Sequence, residues 1–254
     1  MKFSDSTFSR FPETHHILLH TLSDIFHELE ARAKVEAFRP LTSNPVEAFN
    51  GYIDFALAIY HSKLFQLFRA IVKSIEDQDY LIYAQSGRAV LENTATIRYY
   101  ARHQDFAVAS GAWNKSSMTD PILRKANETL DRFIRGNRFS WDAFMEGRLN
   151  DLSKTPHQDH LSQINSNTCL QKWFKDQPNL ETLYDLFCDL VHPNFGSNLL
   201  VLGTTEKGLL AGGEASESIS IFIVAPTMAG LIGTYKEFEK VTIELSALKL
   251  LKRQ

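Results

Sequence analysis

Asn44-Pro45-Val46-Glu47 followed by AFNGYIDFALAIYHSKLFQLFRAIVKSI, ending at Ile75, reads as one uninterrupted amphipathic helix. Asn44 is a helix-capping residue type, Pro45 suits the first helical position and Glu47 completes an arrangement like a capping box. Phe49, Tyr52, Ile53, Ala56, Ile59, Tyr60, Leu64, Leu67, Phe68, Ile71 and Ile75 then recur at helical spacing over about nine turns. A helix of this length with so wide an apolar face needs other helices around it, so an all-α bundle is the expected fold.

The neighbouring segments supply those partners. Residues 13–35 carry Leu18, Leu22, Ile25 and Leu29 on one stripe. Residues 79–103 form a third helix whose only charges between Asp79 and Arg98 are Arg88 and Glu92, one turn apart. A charge-poor helix is a surrounded one, and its single Arg and Glu are expected to be partly buried and paired. Residues 106–175 are more polar, with shorter helices opening at Asp120-Pro121 and Ser140, and read as a helical insertion covering one end of the bundle. After His192 two apolar runs, LLVL and LLAGG, flank GTTEKG and predict a small β-hairpin. A last helix over 216–251, kinked at Pro226, carries Leu231, Phe238, Val241, Leu245 and Leu248, a stripe that can enter the core or build a homodimer. The whole chain, 1–254, reads as a single helical domain.

Composition narrows the function classes. A net charge of -3 with mixed signs gives no global attraction to nucleic acid or to an anionic membrane. Two cysteines, Cys169 and Cys188, and an N-terminus without an apolar leader-like run point to a reducing, cytoplasmic setting. The uncharged segment 218–235 is interrupted by Pro226, Gly230 and Gly233 and reads as a buried helix, not a membrane span. No Walker loop, dinucleotide fingerprint or Ser-His-Asp order is present, and no motif calls for a cofactor.

Two polar stripes are the candidate sites. On the third helix Gln85, Arg88, Glu92, Thr96 and His103 share one face. On the helix that begins near Glu181 and is stopped by Pro193, Asp185, Cys188, Asp189 and His192 gather opposite Leu183, Leu186, Phe187, Leu190 and Val191. An Arg can hold an anion, and Glu, Asp and His can move or orient a proton. Asp189-x-x-His192 also has the carboxylate and imidazole spacing found on metal-binding helices, but a metal site would need Glu92 and Asp185 as well, with a lone Cys as an atypical neighbour. His16 and His20 have zinc-pair spacing yet point away from the apolar stripe of their helix, and His157-x-x-His160 has no matching pair. The arginines at 132, 135 and 138 form a small basic patch diluted by acidic neighbours.

Ser86-Gly87-Arg88-Ala-Val-Leu-Glu92, together with Tyr184-x3-Cys188-x3-His192-Pro-Asn and a following hairpin, resembles a family of uncharacterised bacterial helical proteins grouped with the HEPN-like bundles. The resemblance implies an all-helical bundle in which Arg88, Glu92, Tyr184 and His192 converge. RNA-cleaving bundles of this kind place an Arg before the His with four to six residues between them; here Phe187, Leu186 and Asp185 occupy those positions before His192, while Arg98-Tyr-Tyr-Ala-Arg-His103 matches a pattern expected by chance. The expected function is therefore a polar pocket for a small anion, nucleotide or RNA end, with Arg88 and Tyr184 binding and His192, Glu92 and Asp189 as candidate catalytic groups. The alternatives are a metal-dependent hydrolase using Glu92, Asp185, Asp189 and His192, and a non-catalytic dimeric interaction protein.

Overall fold

The computed structural model describes residues 2–33, 45–102, 141–151, 165–205, 208–211 and 219–249. Asn44, His103, the arginines at 132, 135 and 138, the 157–160 histidine pair and most of the 106–175 stretch lie outside the described residues. Among the described residues the architecture is an all-α bundle with one two-stranded hairpin.

A short helix α1 (Asp5–Ser9) and a single 3₁₀ turn (Glu13–His15) precede α2 (His16–Arg32). The long helix α3 (Pro45–Asp77) and α4 (Tyr80–Ala101) follow, with Pro45 at the start of α3 as its missing N–H allows. They are joined by a tight reversal at Gln78, whose φ is 59°. Asp79 caps α4 by accepting from the Ile82 N–H at 3.3 Å. Helix α5 (Trp141–Met145) is one turn and a half; α6 (Ser166–Asp176) and α7 (Asn179–Val191) then form the second half of the framework. Helix α8 (Phe195–Leu199), strands β1 (Leu202–Thr205) and β2 (Gly208–Ala211), and α9 (Ala225–Ala247) complete the order. The strands pair antiparallel, from Leu202 opposite Ala211 to Thr205 opposite Gly208.

Helix α4 is the central element, packed on α3, α6, α7 and α9, while α2 lies against α3 and α9. The apolar stripes converge as their spacing requires: Leu19, Leu22 and Leu29 of α2, Phe49, Ile53, Leu64 and Phe68 of α3, and Leu231, Phe238, Val241 and Leu245 of α9 are fully enclosed. The α9 stripe is thus spent on the core of the chain's own bundle. No described helix is long and apolar enough to cross a membrane.

Three local departures from the sequence expectations have physical causes. The N-terminal segment is ordered by tertiary contacts: buried Thr7 donates to Glu76 at 2.6 Å, and Arg10 donates to the Ile75 and Glu76 carbonyls, strapping α1 onto the end of α3. His16 takes part in the same strap, with Nε2 2.9 Å from the Phe8 carbonyl and its ring edge-on to Phe8. The first apolar run after His192 is not wholly strand. Asn194 and Ser197 form a reciprocal capping box that nucleates α8, so β1 begins only at Leu202. Before Pro226 the helix widens into a π turn (Ser220–Val224), because Pro226 has no N–H to give to the carbonyl four residues back. The loosened carbonyls and hydroxyls are taken up by α4: the Tyr83 hydroxyl lies 2.7 Å from Thr227 Oγ1 and 3.3 Å from the Val224 oxygen, and the Tyr80 hydroxyl lies 2.5 Å from Ser220 Oγ.

Candidate functional site

The site forms where α7 crosses α4. The crossing is close because both facing helices present glycine. A Cβ at Gly87 would stand 2.5 Å from Phe187 Cζ, and one at Gly230 of α9 would stand 2.5 Å from Leu183 Cδ2. Phe187 and Leu183 therefore seat in two notches, and α7 is rolled so that Tyr184, Phe187 and Leu190 are buried. This differs from the face read from the sequence. Leu186, expected inside, is exposed, and Cys188, expected on the polar side, is half-buried. Periodicity alone cannot find this rotation, because it depends on which facing helix offers the notch.

The roll carries Tyr184 onto Arg88 and Glu92. Arg88 Nε donates to Glu92 Oε1 at 2.9 Å and the Tyr184 hydroxyl donates to the same oxygen at 3.0 Å. The guanidinium also lies over the Tyr184 ring, 5.7 Å from its centroid. Arg88 and Glu92 side chains are 28% and 29% exposed, so the pair is open to a ligand and not sealed in the core. Burial, then the Glu92 carboxylate and the neighbouring Cys188 thiol, push the Tyr184 phenol well above its usual range, which keeps it a donor. Burial alone would lower the Arg88 pKa, but the Glu92 hydrogen bond and the nearby Cys188, Glu92 and Tyr184 outweigh it and hold Arg88 charged. Among the described residues only the Nε–H of Arg88 is engaged, leaving the forked NH₂ donors available for an oxyanion.

Asp189 and His192 stand apart from this network. The Asp189 carboxylate accepts from Asn194 Nδ2 at 2.6 Å and rests against Gly196, where any Cβ would overlap it, so it anchors the start of α8. His192 is exposed at the end of α7. Pro193 disfavours the helical conformation in the residue before it, and His192 accordingly turns extended, with ψ 149°, leaving the stripe that Cys188 and Asp189 occupy. Its imidazole makes no hydrogen bond to Arg88, Glu92 or Tyr184 among the described residues. Asp185 is exposed, and among the described residues no group of three His, Cys, Asp or Glu comes together to hold a metal ion.

The arginine of the chance Arg98–His103 spacing is committed to ion pairs elsewhere. Arg98, 6% exposed, donates from Nε to Glu237 at 2.9 Å and from Nη2 to Asp176 at 2.5 Å, and Arg102 joins Glu237 and Glu244. This network ties α4 to α6 and α9. Comparison with protein-family models, with curated proteins and with solved structures gave no match.

Proposed function

We propose that this protein binds a small anion, a nucleotide or an RNA end through its terminal phosphate at the Arg88–Glu92–Tyr184 cluster. The observation that carries the reading is the partly exposed Arg88, held by the Glu92 hydrogen bond and by its place over the Tyr184 ring, while its forked donors have no partner among the described residues. A guanidinium fixed in this way matches the geometry of a phosphate or carboxylate and loses little freedom on binding. Glu92 orients Arg88 and Tyr184 alike. His192, at the rim of α7, is the group that would meet the distal part of a bound ligand with a proton or hydrogen bond. Asp189 belongs to this reading only as the anchor of the α8 turn beside it.

Isothermal titration with inorganic phosphate, AMP and a 5′-phosphorylated RNA oligonucleotide tests the proposal. Arg88→Lys, which keeps the charge and removes the fork, should weaken binding about tenfold, as loss of one charge-assisted contact predicts. Equal affinity in wild type, Arg88→Lys and Arg88→Gln would remove the cluster from consideration.

A further inference from the structure

The two helices that build the Arg88 site carry a single cation between them at the crossing. Between Asp79 and Arg98 the charges of α4 are Arg88 and Glu92, and α7 carries Glu181, Asp185 and Asp189 with no lysine or arginine. One guanidinium therefore stands against four carboxylates. Glu92 is bonded to Arg88 itself, and Asp189 is committed to Asn194. Glu181 and Asp185 are exposed, and neither has an ion pair among the described residues. Their place follows from the roll of α7. Tyr184 and Cys188 face Arg88: the tyrosine ring lies 5.7 Å from the guanidinium, and the thiol adds to the forces that hold Arg88 charged. At 100° per residue Glu181 falls about 20° from Cys188 and Asp185 about 60° from it, away from the buried Phe187. Glu181 is one turn from Tyr184, and Asp185 one turn from Cys188, so both are side-chain neighbours of the groups on Arg88. On the other flank α6 meets Tyr184 with the apolar ring of Phe174, 5.9 Å between centroids, while Lys172 stands over Tyr99, about 16 Å along α4 from Arg88.

An oxyanion on the Arg88 fork thus meets one positive charge and a rim of negative ones. Its first charge is held by two forked N–H donors in a geometry that a carboxylate or phosphate group matches. A second charge on the same group gains no further donor. Against Arg88 at about 4 Å in water it gains about fivefold, while Glu92, Glu181 and Asp185, each roughly 6–8 Å away, take back about two- to threefold apiece. The three carboxylates together outweigh the one guanidinium. We infer that Glu181 and Asp185 make the Arg88 site selective for singly charged oxyanions, a carboxylate or a phosphodiester, over the doubly charged end of a phosphate monoester. This rests on the anion-binding reading of Arg88 and narrows it: a monoester end binds there, but less tightly than the same phosphate carrying one more ester. Discrimination of this kind comes from unfavourable charges set against the wrong ligand as much as from contacts to the right one.

The test is titration of the full chain at pH 8 with phenyl phosphate, phenyl methyl phosphate and benzoate. A phosphate monoester is doubly charged there, its second pKa being about 6, while the diester and the carboxylate carry one charge. Phenyl methyl phosphate should bind at least twofold more tightly than phenyl phosphate. Glu181→Gln combined with Asp185→Asn, both at exposed positions, should strengthen all three and reverse that order to about a twofold preference for the monoester. Arg88→Gln should weaken all three about tenfold. Benzoate separates the two sources of a single charge: binding tighter than the diester assigns the site to carboxylates, and weaker binding to phosphodiesters. Equal or tighter binding of phenyl phosphate by the wild type, lost in Arg88→Gln, would overturn the selectivity and leave the anion site standing. An order that survives the double substitution would remove Glu181 and Asp185 from it. Absence of binding by all three probes, or binding indifferent to Arg88→Gln, would overturn the anion site and the selectivity with it.

Discussion

Substituting Gly87 by Ala probes the contact that sets the site. Gly87 is buried in α4, and a methyl there would lie 2.5 and 2.6 Å from Cζ and Cε1 of Phe187. Phe187 cannot retreat easily, since it is fully enclosed and its ring packs on Tyr83 at 6.2 Å between centroids. Two effects compete. Ala in place of Gly inside a helix gains about 1 kcal/mol of propensity, while overpacking a well-filled core costs about 1–3 kcal/mol. The net expectation is destabilisation of about 1 kcal/mol, or about 2–4 °C in Tm for a chain of this size. Gly233→Ala is the control, because a Cβ at that exposed position of α9 meets nothing within 4 Å; it should stabilise by about 0.5–1 kcal/mol. Urea unfolding followed by tryptophan fluorescence should thus separate the two variants by roughly 2 kcal/mol. In a Phe187→Leu background the smaller side chain leaves room for the methyl, so the double-mutant cycle should show coupling of about 1 kcal/mol or more. If Gly87→Ala is as stable as Gly233→Ala, or if the cycle is additive, close packing of α7 on α4 does not govern this crossing.

Two further outcomes follow from the ionic contacts. Arg98→Ala leaves Glu237, 11% exposed, with Arg102 as its remaining partner and should cost about 2 kcal/mol in urea unfolding, whereas Lys73→Ala, which breaks the exposed pair with Asp77, should stay within about 0.5 kcal/mol; similar costs would contradict the assigned roles. Burial alone would raise the Glu76 pKa, but hydrogen bonds from Ser4 and Thr7 and the charge of Arg10 bring it below the ordinary value. A depressed carboxylate stabilises the fold above its unfolded pKa of about 4.3 and loses that contribution as pH falls through the lower folded value. The Tm difference between wild type and Glu76→Gln should accordingly be largest near neutrality and vanish in acid, and a difference independent of pH would exclude this linkage.

Much of the bundle is legible in the sequence because α2, α3 and α9 each carry a periodic apolar stripe and α4 is nearly free of charge, and burial of such segments leaves few alternatives. The pairing of Arg88 with Glu92 is legible for a related reason: two charges on a helix that must be surrounded will find each other one turn apart. What escapes is whatever depends on the facing element. The α1 strap rests on Glu76, about seventy residues away in the chain. The roll of α7 rests on Gly87 and Gly230, which say nothing by themselves about which side chain they receive. The departure of His192 from the polar stripe is of a different kind, since Pro193 announces it and helical geometry simply ceases to apply at that residue. Reading Asp189 and His192 as one stripe extends a helix past its own stop signal.

The two arginines of α4 differ in how fully the packing of the bundle accounts for them. Arg98 is buried and meets two carboxylates from two other helices, so its charge is neutralised by contacts that tie α4 to α6 and α9. A purely structural requirement for a cation on α4 is thereby met in full. Arg88, ten residues earlier and about 80° around the helix, has one intrahelical carboxylate, shared with a tyrosine hydroxyl, and remains more than a quarter exposed. An intrahelical pair at this spacing contributes only about 0.3–0.5 kcal/mol, a weak structural reason for placing an arginine there. Fixing helix register cannot explain Arg88 either, because the Gly87 and Gly230 notches already set how α7 lies. What the packing leaves unexplained is the fork of Arg88 NH₂ donors beside Tyr184, which has no partner among the described residues.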